Sequence, residues 1–147
     1  MSLIYKRYDE EKKVDHAWYE SSNILYSECV DNVDDFKTLF VVFKHKDGTN
    51  ETYRYDNVHV ADYLRFRNSE SQGKALNMFI KSRKNFDGSV RYPHQKQEQS
   101  IYNEELDKEL NEFLLEEEKK RLENTGILTE NKEETNTIQD ENNKDKD

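Results

Sequence analysis

Tyr53 and Tyr55 stand two residues apart in a run, Glu51 to Tyr55, that reads as β-strand, so their rings share one face of a sheet. Two tyrosines so placed can stack on nucleobases, an interaction of about 1–3 kcal/mol per base. They can equally fill a core beneath helices. In that case Arg54 turns to solvent between them and becomes the better contact. Positive charge follows close behind. Residues 63–96 carry eight basic side chains against two acidic ones, inside a chain whose net charge is −9. Lys74 and Lys81 are seven apart and fall near one face of a helix, and Lys81, Arg83 and Lys84 cluster at its end. Such a patch binds phosphates with a salt-dependent affinity. The bland alternatives are a solvated surface, or a dock for the acidic stretch 101–123. Ser71 and Gly73 stand where a helix begins, and a helix N-terminus can hold an anion. The spacing of a phosphate-binding P-loop is absent, and an ordinary capped turn explains the same residues. Asn77 can bond a ligand or a neighbouring backbone.

Catalytic and metal chemistry find less support. His16, His45, His59 and His94 are scattered, and the single cysteine, Cys29, sits in a strand-like run. No His, Cys, Asp or Glu group shows metal-ligand spacing. No nucleophile-elbow or zinc-protease motif occurs. The reading is therefore a non-enzyme with no catalytic residue, no metal and no cofactor. One cysteine forms no intramolecular disulfide, which fits a reducing compartment. The N-terminal residues lack the apolar run of a signal peptide, and no stretch approaches the roughly 18 apolar residues of a membrane span. A cytoplasmic setting is expected, in a bacterial cell or in the host cytoplasm if the chain is phage-encoded, with no membrane partner.

Elements must position these residues. Residues 1–17 are polar and lack a clear period, so they read as an N-terminal arm. Asn23–Val30, Thr38–Lys44 and Glu51–Tyr55 read as three strands of an antiparallel meander, the second and third joined at Asp47-Gly48. In the first strand, alternation puts Ile24, Tyr26 and Glu28 on one face and Leu25, Ser27 and Cys29 on the other. The period then changes. Val60, Tyr63, Leu64 and Arg67 fall at helical spacing, and Ser71 caps a second helix over Gln72–Lys81. Phe86, Val90 and Tyr92 suggest a short closing segment ended by Pro93. Ser100 is the expected cap of a long amphipathic helix whose stripe is Leu106, Leu110, Phe113 and Leu114, with Gly126 as its stop. Residues 127–147 form an acidic tail with too little apolar surface to offset ordering, and are expected to be disordered. The fold class is α+β: a small antiparallel β-meander packed with short helices (18–99), then the long helix (100–126) and the tail.

Several of these segments together resemble the KTSC domain, a short bacterial module found alone and at the C-terminus of some lysyl-tRNA synthetases. The residues that carry the likeness are Ser21-Ser22-Asn23-Ile24, Thr38–Phe43, Tyr53-Arg54-Tyr55, Val58 with Val60 and Tyr63, and Ser71–Ile80. It covers about residues 20–83. His59 stands where the family usually has proline, and Leu76 where it usually has an aromatic. The resemblance implies a compact α+β fold and suggests RNA binding. A looser likeness, resting on size, an extra helix and composition, is to phage anti-defence sponges that sequester cyclic nucleotide or cyclic ADP-ribose signals.

The functional expectation is a binding module for a phosphate-bearing ligand, RNA or a small nucleotide. Arg54, Lys74, Lys81, Arg83 and Lys84 would supply charge. Tyr53, Tyr55 and Asn77 would supply recognition, beside Ser71 and Gly73. The alternatives are the sponge and a protein-interaction adaptor whose contacts come from the helix stripe and the acidic tail. The stripe itself either pairs with its twin, in a homodimer or higher oligomer, or packs on its own sheet.

Overall fold

The computed structural model describes residues 3–32 and 34–126. Six strands pair antiparallel in chain order: β1 (Leu3–Asp9), β2 (Val14–Tyr19), β3 (Ile24–Asp31), β4 (Phe36–Lys44), β5 (Asn50–His59) and β6 (His94–Lys96). Between β5 and β6 lie α1 (Val60–Arg67), α2 (Gln72–Leu76) and a π-helical turn (Asn77–Lys81). The helix α3 (Glu104–Asn124) follows. Residues up to Leu106 form one compact unit, and the helix beyond it belongs to a second. The expected disordered tail, 127–147, lies outside the described residues.

The meander and its α+β class match the reading from sequence, but the N-terminal arm does not. Its residues form β1 and most of β2, paired from Leu3↔Tyr19 to Asp9↔Val14. The turn between them is tied by Asp9, whose Oδ1 accepts from the amides of Glu11 and Lys12 at 3.0 and 3.1 Å. A bulge between Leu3 and Tyr5 interrupts the alternation that would mark β1 as a strand. Pairing with a distant partner, rather than local pattern, makes it one.

Bulges also decide which side chains face the core. In β3 the register shifts between Ile24 and Tyr26, so Ile24 joins Cys29 in the main core and Tyr26 points the other way. Strict alternation groups Ile24 with Tyr26, and the bulge separates them. In β5, Asn57 takes a left-handed conformation (φ 55°), which asparagine tolerates. That extra residue lets Tyr55 and Val58 both reach the main core despite their odd spacing.

One sheet face packs Ala17, Leu39, Val41 and Tyr55 against Tyr63, Phe66, Leu76 and Ile80 of the helical layer. The opposite face carries Trp18, Tyr26, Val42 and Thr52, all fully buried. Trp18 meets Tyr5 and Tyr26 at tilted angles, with centroid distances of 4.8 and 5.0 Å, and donates its indole N–H to the Leu106 carbonyl at 3.2 Å. Tyr102 lies 5.3 Å from Tyr26, and the Ile101 amide donates to the Thr52 hydroxyl at 3.0 Å. The segment leading into α3 thus covers this face. It also relocates the expected cap. Ser100 is bonded to Thr52 at 2.9 Å, while Asn103 caps α3 by accepting from the Leu106 amide at 2.9 Å. Leu106, Leu110, Phe113 and Leu114 all lie on α3, and Leu114 is exposed.

Cys29 is buried in the main core, and burial pushes its thiol well above the ordinary value. Because the thiolate is the nucleophile, iodoacetamide is expected to leave Cys29 unmodified in the native protein for as long as urea-unfolded protein takes to react completely. Mass spectrometry of the two samples checks this.

Candidate functional site

α2 runs straight into the π-helical turn, where the Ser82 amide bonds back to the Asn77 carbonyl at 2.8 Å, a five-residue step. The helix expected over Gln72–Lys81 is therefore present, but its second half is widened. Widened turns of this kind recur at functional sites. Gln72, fully buried, anchors the entry by donating to the carbonyls of Arg67 and Ser69 at 3.3 and 2.8 Å. Ser71 holds the N-cap position, yet its hydroxyl makes no capping bond.

This helical edge borders two hollows. The first, about 360 Å³, is lined by Asn23, Phe43, Lys44, His45, Glu51, Tyr53, Tyr55, Lys81 and His94. The second, about 690 Å³, is lined by Glu20, Ser21, Ser22, Asn23, Lys44, Glu70, Ser71, Gly73, Lys74 and Asn77. They share Asn23 and Lys44, whose backbones are bonded at 2.9 Å, and so form one groove with a waist. A Cβ at Gly73 would lie 3.7 Å from Asn23 Nδ2, an ordinary contact across the groove.

The first hollow is aromatic. Phe43 and His94 each meet Tyr53 edge-on, both with centroids 5.4 Å apart. Tyr55 forms the floor; burial, with a smaller push from Tyr53, raises its phenol to about 12. It is therefore neutral near pH 7. The only carboxylate among the residues lining this hollow, Glu51, is paired with Lys96 at 3.1 Å and approached by His45 at 3.6 Å. Lys81 and Lys44 are exposed, and neither takes part in a salt bridge among the described residues. The second hollow is polar and balanced: Lys44 and Lys74 oppose Glu20 and Glu70, among serine hydroxyls and the amides of Asn23 and Asn77.

Seven of the ten ligand residues expected from sequence line this groove: Tyr53, Tyr55, Ser71, Gly73, Lys74, Asn77 and Lys81. The other three go elsewhere. Arg54 points to the opposite sheet face, over Phe40 and bonded to Asp56 at 2.8 Å. Strand alternation predicts that separation, because Arg54 lies between the two tyrosines. Arg83 is held by buried Asp62 at 2.6 Å. Lys84 bridges to Val90 by its backbone and is exposed. Of the closing segment, Tyr92 is buried and Phe86 is fully exposed. Sequence reasoning missed Phe43, Lys44 and His94 as wall residues. Phe43 and Lys44 carry only a strand signal in the sequence, and His94 reaches Tyr53 only through the β5–β6 pairing.

Among the described residues no group of three or more His, Cys, Asp or Glu could hold a metal ion, and no helix is long and apolar enough to cross a membrane.

Residues 33–86 match the family model of the KTSC domain. The match spans β4, β5, α1, α2 and the π-helical turn, and so most of the groove; Ser21–Ile24, part of the resemblance read from sequence, falls outside it. No curated protein and no solved structure matches the chain.

Proposed function

We propose that the KTSC domain of this chain, with groove residues such as Asn23 and His94 added from outside the matched span, is a non-catalytic module that binds a nucleotide unit in the groove. The unit is either a free nucleotide or one residue of single-stranded RNA. The observation that carries this reading is the junction of two unlike hollows: an aromatic one walled by Phe43, Tyr53 and His94, and a polar one, with Lys44 at the waist and Lys81 in the wall of the first. A base gains from stacking on aromatic rings whatever its sequence. A phosphate gains from ammonium groups that no carboxylate has neutralised. The balanced second hollow, rich in hydroxyls and amides, suits sugar hydroxyls better than a second phosphate. Lys74 and Asn77 would act there.

The test is thermal shift and calorimetry of the full chain with mononucleotides, cyclic dinucleotides, cyclic ADP-ribose and short single-stranded RNA, at low and moderate salt. A ligand that binds the native state raises the melting temperature. Tight stoichiometric binding of one small nucleotide favours a sequestering role, and salt-sensitive binding of RNA alone favours an RNA module. No shift with any of them removes the proposal and leaves the protein-interaction reading. Tyr53→Phe is expected to keep most of the affinity, because the ring remains. Tyr53→Ala is expected to lose about 1–3 kcal/mol, or roughly 5- to 150-fold in Kd, measured by calorimetry.

A further inference from the structure

A third hollow, about 330 Å³, shares no wall residue with the groove; it is lined by His59, Ala61, Asp62, Arg65, Arg83 and Arg91. Asp62 is buried, and its oxygens are filled from within the protein. Its Oδ1 accepts from Arg83 Nε and Nη2 at 3.2 and 2.6 Å and from Arg65 Nη1 at 3.2 Å, while Oδ2 accepts from the Tyr92 hydroxyl at 2.8 Å. The carboxylate therefore acts as a positioning group. It fixes two guanidinium groups and leaves Nη1 of Arg83, with Nε and Nη2 of Arg65, unspent on it. Phe79 packs against both, with each guanidinium carbon 5.9 Å from its ring centroid. Arg91 lies over the Tyr92 ring at 5.5 Å. The first amides of α1 are not the donors here. Val60 N–H bonds to the Asp35 carbonyl at 2.9 Å, and Ala61 N–H to His59 Nδ1 at 3.1 Å.

Among the residues lining this hollow, three guanidinium groups thus face one carboxylate, a surplus of two positive charges. We infer that this hollow binds a phosphate monoester. Such a group carries a charge of about −1.5 to −2 near neutral pH, which matches the surplus. Its oxygens accept the paired N–H bonds that arginine presents in a fixed fork. A carboxylate ligand would answer only half the surplus charge. The site does not depend on the nucleotide groove.

The test is a titration of the 15N-labelled full chain with inorganic phosphate at constant ionic strength, with chloride as control, reading the arginine Nε–Hε signals. Saturable shifts of Arg65, Arg83 and Arg91 with phosphate, absent with chloride, are the expected result. Arg91→Gln breaks no bond to Asp62 and is expected to weaken phosphate binding at least about tenfold, the loss of one charge-assisted contact. Lys74→Glu combined with Lys81→Glu should leave it unchanged, which separates this site from the groove. Uridine 5′-monophosphate and O-phosphoserine then distinguish a nucleotide source from a phosphorylated side chain, the tighter binder naming it. Shifts no larger than those with chloride, or full phosphate affinity in Arg91→Gln, would overturn the inference.

Discussion

Asp62→Ala is expected to lower the unfolding free energy by about 3 kcal/mol, the low end of the cost of breaking a buried ion pair. The carboxylate takes hydrogen bonds from Arg83, Arg65 and Tyr92. Removing it leaves two arginines facing each other with no counter-charge. Both keep partial contact with water, which limits the loss. Tyr92 does not. It is 1% exposed, and its hydroxyl would keep only the bond it accepts from the His59 amide at 3.1 Å. The same network closes the loop between the π-helical turn and β6, so the loss should appear as a lower urea midpoint with a single transition. Asp62→Asn, which keeps an acceptor of the same shape, should cost less.

The pH dependence has a definite sign. Burial by itself raises the Asp62 carboxyl, but the hydrogen bonds from Arg83 and Tyr92, and the charges of Arg83 and Arg65, outweigh it and hold the group below its ordinary value of 3.8. A carboxyl depressed in the folded state contributes stability above the unfolded value, and that contribution fades as pH falls towards the folded one. The unsubstituted chain should therefore lose stability on acidification below about pH 4. Asp62→Ala should show a shallower acid limb. An identical acid limb in the two proteins would mean that the network contributes nothing to the linkage.

Lys74→Glu combined with Lys81→Glu is expected to weaken binding of mononucleotides and short single-stranded RNA by more than about 100-fold, because two charge-assisted contacts are each worth about 1.5–3 kcal/mol. Both lysines are exposed on the same helical edge, and each lines a different hollow. Neither takes part in a salt bridge among the described residues. The melting temperature should therefore hold while affinity and its salt slope fall. Lys84→Glu alone makes the contrast. It adds the same kind of charge outside the groove and should leave groove binding within about twofold, since surface substitutions away from such contacts usually stay within about 0.5 kcal/mol. Normal binding by the double variant would place the ligand somewhere other than the groove.

Local pattern carried a large part of this protein. The β-branched and aromatic run through Val41 and Phe43 made β4, the Asp47-Gly48 turn joined it to β5, and the change from two-residue to helical spacing after Val58 marked α1. Those signals are local, since each residue's preference and its near neighbours agree. The same locality made seven groove residues legible, because Ser71 to Lys81 share one helical edge and Tyr53 and Tyr55 share one strand face. What the sequence did not decide depends on pairing at a distance. β1 is a strand because β2 lies beside it, and Ile24 is core because a bulge turns it over. His94 enters the groove because β6 adds to β5, and Ser100 bonds Thr52 rather than capping α3. Above all, tertiary structure sorted the basic residues. Composition makes Arg83 and Lys81 equivalent, two residues apart in one cationic block. Only the buried carboxylate of Asp62, brought from α1, takes Arg83 out of the groove and leaves Lys81 in it, because a charge is committed by the partner that folding places beside it.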